Sequence, residues 1–244
     1  MMIPTSELQI IYVAAGILVA ANVLAMGLFV MFAKLQDGRL KESIRNIIFE
    51  FTWGGQKLMN KIFINPGHAP GGYPDPGAVG PSGLRESDVA ADVGAMVADY
   101  LRVAGCEVIV YQSDSLQDIC DRTNAWGADA VVSIHCNSFS APSATGMEIW
   151  TSRGQTRADS LSTYIMAQMA GEFPTLPVRD DWSDGDVDKE AGLYVLNNTV
   201  APAVLVELAF ISNPKEEAIL VSDEGKRMFA AAIARGVTDW QVSA

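Results

Sequence analysis

From residue 61 onward, short apolar runs alternate with helix-patterned segments, and this alternation limits the fold more tightly than any other feature. Residues 61–65 (KIFIN), 107–112 (EVIVYQ), 130–136 (AVVSIHC), 146–151 (GMEIWT), 192–197 (GLYVLN) and 203–210 (AVLVELAF) read as six strands. Between the first two, Val89, Val93, Met96, Val97 and Leu101 recur at helical spacing before Gly105. Residues 115–126, residues 156–170 and the segment from Pro214 onward also read as helical. Strands interleaved with helices predict an α/β domain over residues 59–244, a single mostly parallel sheet flanked by helices on both faces. In such sheets ligands bind beyond the carboxyl ends of the strands.

Ahead of this domain, residues 8–33 form a run without a charge, in which only Gln9 and Asn22 are strongly polar. A bilayer core is crossed by about 20 apolar residues in a helix. A secretory signal peptide carries a shorter apolar stretch, about 7–15 residues, behind basic ones. Nothing basic precedes this run, and its Ala-x-Ala triplets lie inside it. Residues 1–33 are therefore expected to be one uncleaved transmembrane helix. Gly16 and Ala20, like Ala21 and Ala25, are four apart. That spacing lets helices approach closely in lipid, so self-association through the span stands beside a plainer alanine-rich composition. Residues 34–58 read as an amphipathic helix and linker: Leu40, Ile44, Ile47, Ile48 and Phe51 share one face, with Lys34, Arg39, Lys41 and Arg45 around them. The pattern suits a membrane surface or packing against the domain, and Gly54-Gly55 ends it.

Charge is unevenly placed. Residues 1–58 carry five Lys/Arg against four Asp/Glu, and the remainder carries twelve against twenty-five, a net −13. A domain so acidic lacks the basic surface that nucleic acid requires. Three cysteines without a CxxC spacing, Cys106, Cys120 and Cys136, read as buried apolar groups rather than a disulfide framework.

Chemistry concentrates at strand exits. The chain has two histidines: His68 follows the first strand, and His135 ends the third. Both can reach one crevice, and neutral imidazole is the commonest metal ligand. A catalytic zinc takes three protein ligands and keeps one position open. Glu86 is a candidate third ligand, at the far end of the glycine-rich loop that starts at His68. Spacing equally allows Glu86 to be a helix N-terminal acid favoured by the dipole. Glu207 interrupts the apolar strand 203–210, where a lone buried carboxylate is costly. It is either a general base beside the metal or one half of a structural ion pair.

The stretches INPGH (64–68), DPGAVG (75–80), GLRESDV (83–89), SIHCNS (133–138), PAVLVELAFISNP (202–214) and the KEEAIL that follows resemble the zinc-dependent N-acetylmuramoyl-L-alanine amidases of cell-wall hydrolases and phage endolysins. They occur in that family's order over residues 61–220. The resemblance implies Zn2+ held by His68, Glu86 and His135, with Glu207 as the catalytic carboxylate. It implies peptidoglycan as substrate, cut at the amide between the lactyl group of N-acetylmuramic acid and L-alanine. Asn65 stands where the family commonly has Asp, and Ala209 where it commonly has Gly. The acidic segment 173–191 occupies the place of a variable, substrate-flanking loop and also reads as a solvated surface loop. Two rival readings are a non-catalytic peptidoglycan-binding module and a holin-like membrane protein. Orientation is contested within the sequence: basic residues follow the span, which places residues 34–244 in the cytoplasm, whereas peptidoglycan lies outside it. The expectation is a catalytic domain facing the cell envelope.

Overall fold

The computed structural model describes residues 61–183 and 185–243. The expected span (8–33) and amphipathic helix (34–58) lie outside the described residues. Among the described residues, no helix is long and apolar enough to cross a membrane.

The elements follow in chain order: β1 (Lys61–Pro66), a short 3-10 turn (Pro70–Gly72), α1 (Glu86–Val103), β2 (Glu107–Val110), α2 (Leu116–Trp126), β3 (Ala130–Asn137), β4 (Glu148–Thr151), α3 (Arg157–Glu172), β5 (Lys189–Glu190), α4 (Tyr194–Asn198), β6 (Ala203–Phe210), α5 (Pro214–Val221) and α6 (Asp223–Ser243). The strands form one sheet in the order β2-β1-β3-β6-β4-β5. The expected α/β class holds, but the sheet is mixed rather than mostly parallel. β2, β1, β3 and β6 are parallel, whereas β4 runs antiparallel to β6. The link from β3 to β4 is residues 138–147 and contains no helix. A parallel return needs a crossover of a dozen or more residues.

A second correction concerns residues 192–197, expected as a strand. Here the chain forms the short helix α4, with β5 falling just before it. Val195 and Leu196 are consecutive and both buried against Phe63, Ile119 and Val131. A strand would have sent them to opposite faces.

Side chains alternate across each strand, and the two faces are covered unequally. Ile62, Ile64, Val132, Ile134, Val204 and Val206 pack against α1, α3 and α6 in the larger core. Phe63, Val131 and Ala203 face the shorter α2 and α4. The second face therefore stays open toward the carboxyl ends of the strands. Caps fix the helix starts: Ser115 accepts from the Asp118 amide, and Thr156 and Asp159 cap α3 reciprocally. All three cysteines are free and buried.

Candidate metal and catalytic site

Register places the site. On the open face, His135 of β3 is paired with Glu207 of β6, and Glu207 with Glu148 of β4. These three side chains form one row across three adjacent strands. His68 joins the row from the loop after β1, and Glu86 from the first residue of α1.

Glu86 is only 4% exposed, and both its oxygens are engaged. Oε1 lies 3.0 Å from His68 Nε2 and 3.0 Å from His135 Nδ1. It also accepts from the Cys136 amide at 3.0 Å, while Oε2 accepts from the Ala78 amide at 2.9 Å. The imidazole rings meet edge to face at 5.1 Å. One donor atom from each of His68, Glu86 and His135 lies within 4.8 Å of the others. Burial alone would raise the Glu86 pKa, but His135 and His68 outweigh it and hold the carboxyl well below the usual range. For His68, burial disfavours the charged ring, yet Glu86 and Asp75 prevail and raise its pKa to about 9.

The loop after β1 is shaped to aim His68. The Gly67 amide donates to the Ile134 carbonyl, and the Ala69 amide to that of Asp75. His68 itself adopts a left-handed backbone, φ 65°, a conformation that disfavours side-chain-bearing residues by about 1–3 kcal/mol. Asp75 Oδ2 lies 2.8 Å from His68 Nδ1, and Asp75 Oδ1 accepts from the Gly77 amide. A carboxylate on one ring nitrogen orients the ring and frees the other nitrogen as a ligand. A Cβ at Gly67 would fall 2.3 Å from His135 Cε1, and one at Gly77 would fall 2.5 Å from His68 Cδ2. The backbone thus closes against both rings, and only glycine fits.

Glu207 and Glu148 face each other with like charge and opposite circumstances. Glu148 is satisfied by Arg179 Nε and Lys189 Nζ, each at 2.8 Å, and by Asn137 Nδ2 at 2.5 Å. Glu207 Oε2 is buried with no hydrogen-bond partner among the described residues, so the ion-pair alternative finds no partner there. Burial, reinforced by the negative charges of Glu86 and Glu148, pushes the Glu207 carboxyl up to about 8. Sequence reasoning missed Asp75, Glu148, Arg179 and Lys189. Asp75 had a usable signal: an Asp-Pro-Gly turn seven residues after a candidate ligand. Glu148 had the same signal as Glu207, a lone acid in an apolar strand.

Asn65, one row further from the crevice, directs its hydrogen bonds away from the cluster residues. Its Oδ1 accepts from Ser133 Oγ at 2.9 Å, and its Nδ2 donates to the Tyr111 carbonyl at 3.1 Å. An ionised Asp could accept the first bond but not donate the second. Val79, Pro81, Phe139 and Ser212 line a cavity of about 300 Å3.

Two imidazoles, one carboxylate and an unpartnered acid at the open end of an α/β sheet define a protein of the hydrolase class with a candidate metal centre. Residues 62–239 match the family described as N-acetylmuramoyl-L-alanine amidase. The chain is 30% identical over 217 residues to N-acetylmuramoyl-L-alanine amidase AmiC of Neisseria meningitidis serogroup B, a match covering 72% of this chain and 51% of that protein. It is 27% identical over 228 residues to AmiA of Escherichia coli K12, covering 77% of each. The solved structure of amidase AmiC2 of Nostoc punctiforme matches with a TM-score of 0.66 at 28% identity, covering 75% of this chain and 97% of that one. The chain belongs to the N-acetylmuramoyl-L-alanine amidase family, whose match spans residues 62–239. The chain spans about half the length of the Neisseria relative.

Proposed function

We propose that the protein hydrolyses the amide between the lactyl group of N-acetylmuramic acid and L-alanine, using zinc held by His68, Glu86 and His135. The observation that carries this reading is the convergence of those three side chains beside an unpartnered Glu207. The donor set fits the metal, because imidazole nitrogen and carboxylate oxygen are ordinary zinc ligands. A zinc ion there supplies Lewis acidity, polarising the amide carbonyl and making water acidic near neutral pH.

The chain's own residues do the rest. Asp75 holds His68 in orientation, and the Cys136 and Ala78 amides fix the Glu86 carboxylate. Glu207 takes the proton of the attacking water and passes it to the departing amine nitrogen, acting as base and then acid. The cavity bounded by Val79, Phe139 and Ser212 offers apolar surface and a hydroxyl, a lining that suits a sugar ring. A binding module without chemistry has no use for a buried, unpartnered carboxylate.

The same proposal holds the domain at the cell envelope, anchored by residues 8–33, with peptidoglycan as its partner. The metal assignment is tested by zinc analysis of the purified protein. One equivalent per chain is expected, and His135→Ala should remove most of it, since two ligands hold zinc poorly. Less than about half an equivalent after zinc loading would count against the assignment.

A further inference from the structure

Resting on the amidase reading, we propose that Arg179 and Lys189 form a subsite for a carboxylate on the peptide side of the scissile amide.

The position follows from the row across the sheet. The candidate metal ligands stand over β1 and β3, Glu207 over β6, and Glu148 over β4. The carbonyl lies toward the metal ligands, and the amine nitrogen lies at Glu207, which protonates it. The peptide that leaves with that nitrogen therefore extends onward, toward β4 and β5. Arg179 and Lys189 are found there, both within 2.8 Å of Glu148 Oε2.

Arg179 and Lys189 bring two positive charges to the one carboxylate they share, within a segment, residues 173–191, that is otherwise acidic. Glu148 is saturated, whereas the guanidinium is not. Arg179 spends only Nε on Glu148, and neither Nη atom has an acceptor among the described residues. Its side chain is 42% exposed, and that of Lys189 21%. Exposed arginines are common, but this one is held. The Arg179 amide donates to the Met147 carbonyl at 2.8 Å, and the Met147 amide donates to Pro177 at 2.8 Å. The guanidinium lies over the Phe210 ring at 5.1 Å, and Lys189 Nζ over Trp150 at 5.3 Å. A fork fixed at one end, with its free edge toward solvent, matches the planar geometry of a carboxylate. Glu148 thus has two effects: it anchors both cations, and it keeps them from neutralising Glu207.

The test uses the zinc-loaded full chain and two substrates. One is a muramoyl-alanyl-glutamate with free glutamyl carboxylates; the other is the same compound with those groups converted to amides. The free acid should be preferred by about ten- to a hundredfold in kcat/KM, chiefly through KM. Arg179→Gln should reduce that preference to less than about threefold, and Arg179→Lys should retain part of it. Equal rates on both substrates with wild-type protein would overturn the subsite and leave the amidase reading intact. An Arg179→Gln variant slowed equally on both, with the ratio preserved and a lower Tm, would make the residue structural and also overturn it. Cleavage of neither substrate by wild-type protein would overturn the amidase reading and the subsite together.

Discussion

Glu207 and Glu148 sit opposite each other on one sheet face, and their partners alone set them apart. Arg179 and Lys189 hold the Glu148 carboxyl below the ordinary range against the effect of its own burial. Burial and neighbouring acids raise Glu207 from 4.5 to about 8. Glu207→Gln keeps size and shape but removes the base, so amide cleavage should fall by about 10²–10⁴ with zinc content unchanged. The sign of the stability effect follows from linkage. In the metal-free protein the folded state holds the Glu207 proton more tightly than the unfolded chain. Stability is therefore undiminished below about pH 4.5, falls as pH rises, and reaches its full penalty above about pH 8. The glutamine variant lacks this loss, and its Tm should exceed that of wild type by a margin that grows to pH 8 and then levels. Melting curves from pH 5 to 9, with zinc assays at each point, check this. A variant less stable at every pH would mean that Glu207 is a structural pairing group.

At the scale of elements, the loop after β1 determines whether ligands on separate strands can share a metal. Gly67→Ala would drive a methyl group into the His135 ring, which cannot retreat without leaving Glu86. Zinc affinity should drop at least tenfold, while the melting temperature of the metal-free form should shift by only a few degrees, as for modest overpacking. Isothermal titration with zinc reads the first, and calorimetry of the metal-free form the second. The sequence made most of the alternating elements and both core faces legible through periodicity, and His68, His135 and Glu207 through their places at or in apolar runs, whereas spacing left Glu86 open and only the family resemblance pointed to it. Three things were hidden. Residues 192–197 are rich in strand-forming Tyr and Val, and a six-residue apolar run does not reveal its period; packing against α2 made it helical. The antiparallel β4 was readable only from the missing helix between residues 137 and 148. The ion cluster on Glu148 joins β4, β5 and the loop between α3 and β5, a conjunction set by tertiary structure alone.

For the whole molecule, the proposed function sets an acidic domain to work on a polymer outside the cell, behind a charge-free N-terminal run. If that run anchors the domain at the envelope, external protease should release a fragment beginning near residue 59 from intact spheroplasts. Full protection would place the domain in the cytoplasm, as the flanking lysines and arginines suggest. Dye release from liposomes by residues 1–58 alone would instead support the holin-like reading. The central claim is the identity of the bond cut. Purified peptidoglycan digested with the zinc-loaded protein, and analysed by mass spectrometry, tests it most directly. The account predicts glycan strands bearing unsubstituted lactyl groups, and peptides with a new free N-terminal alanine. New reducing sugar ends, or peptides opened at any other residue, would contradict it.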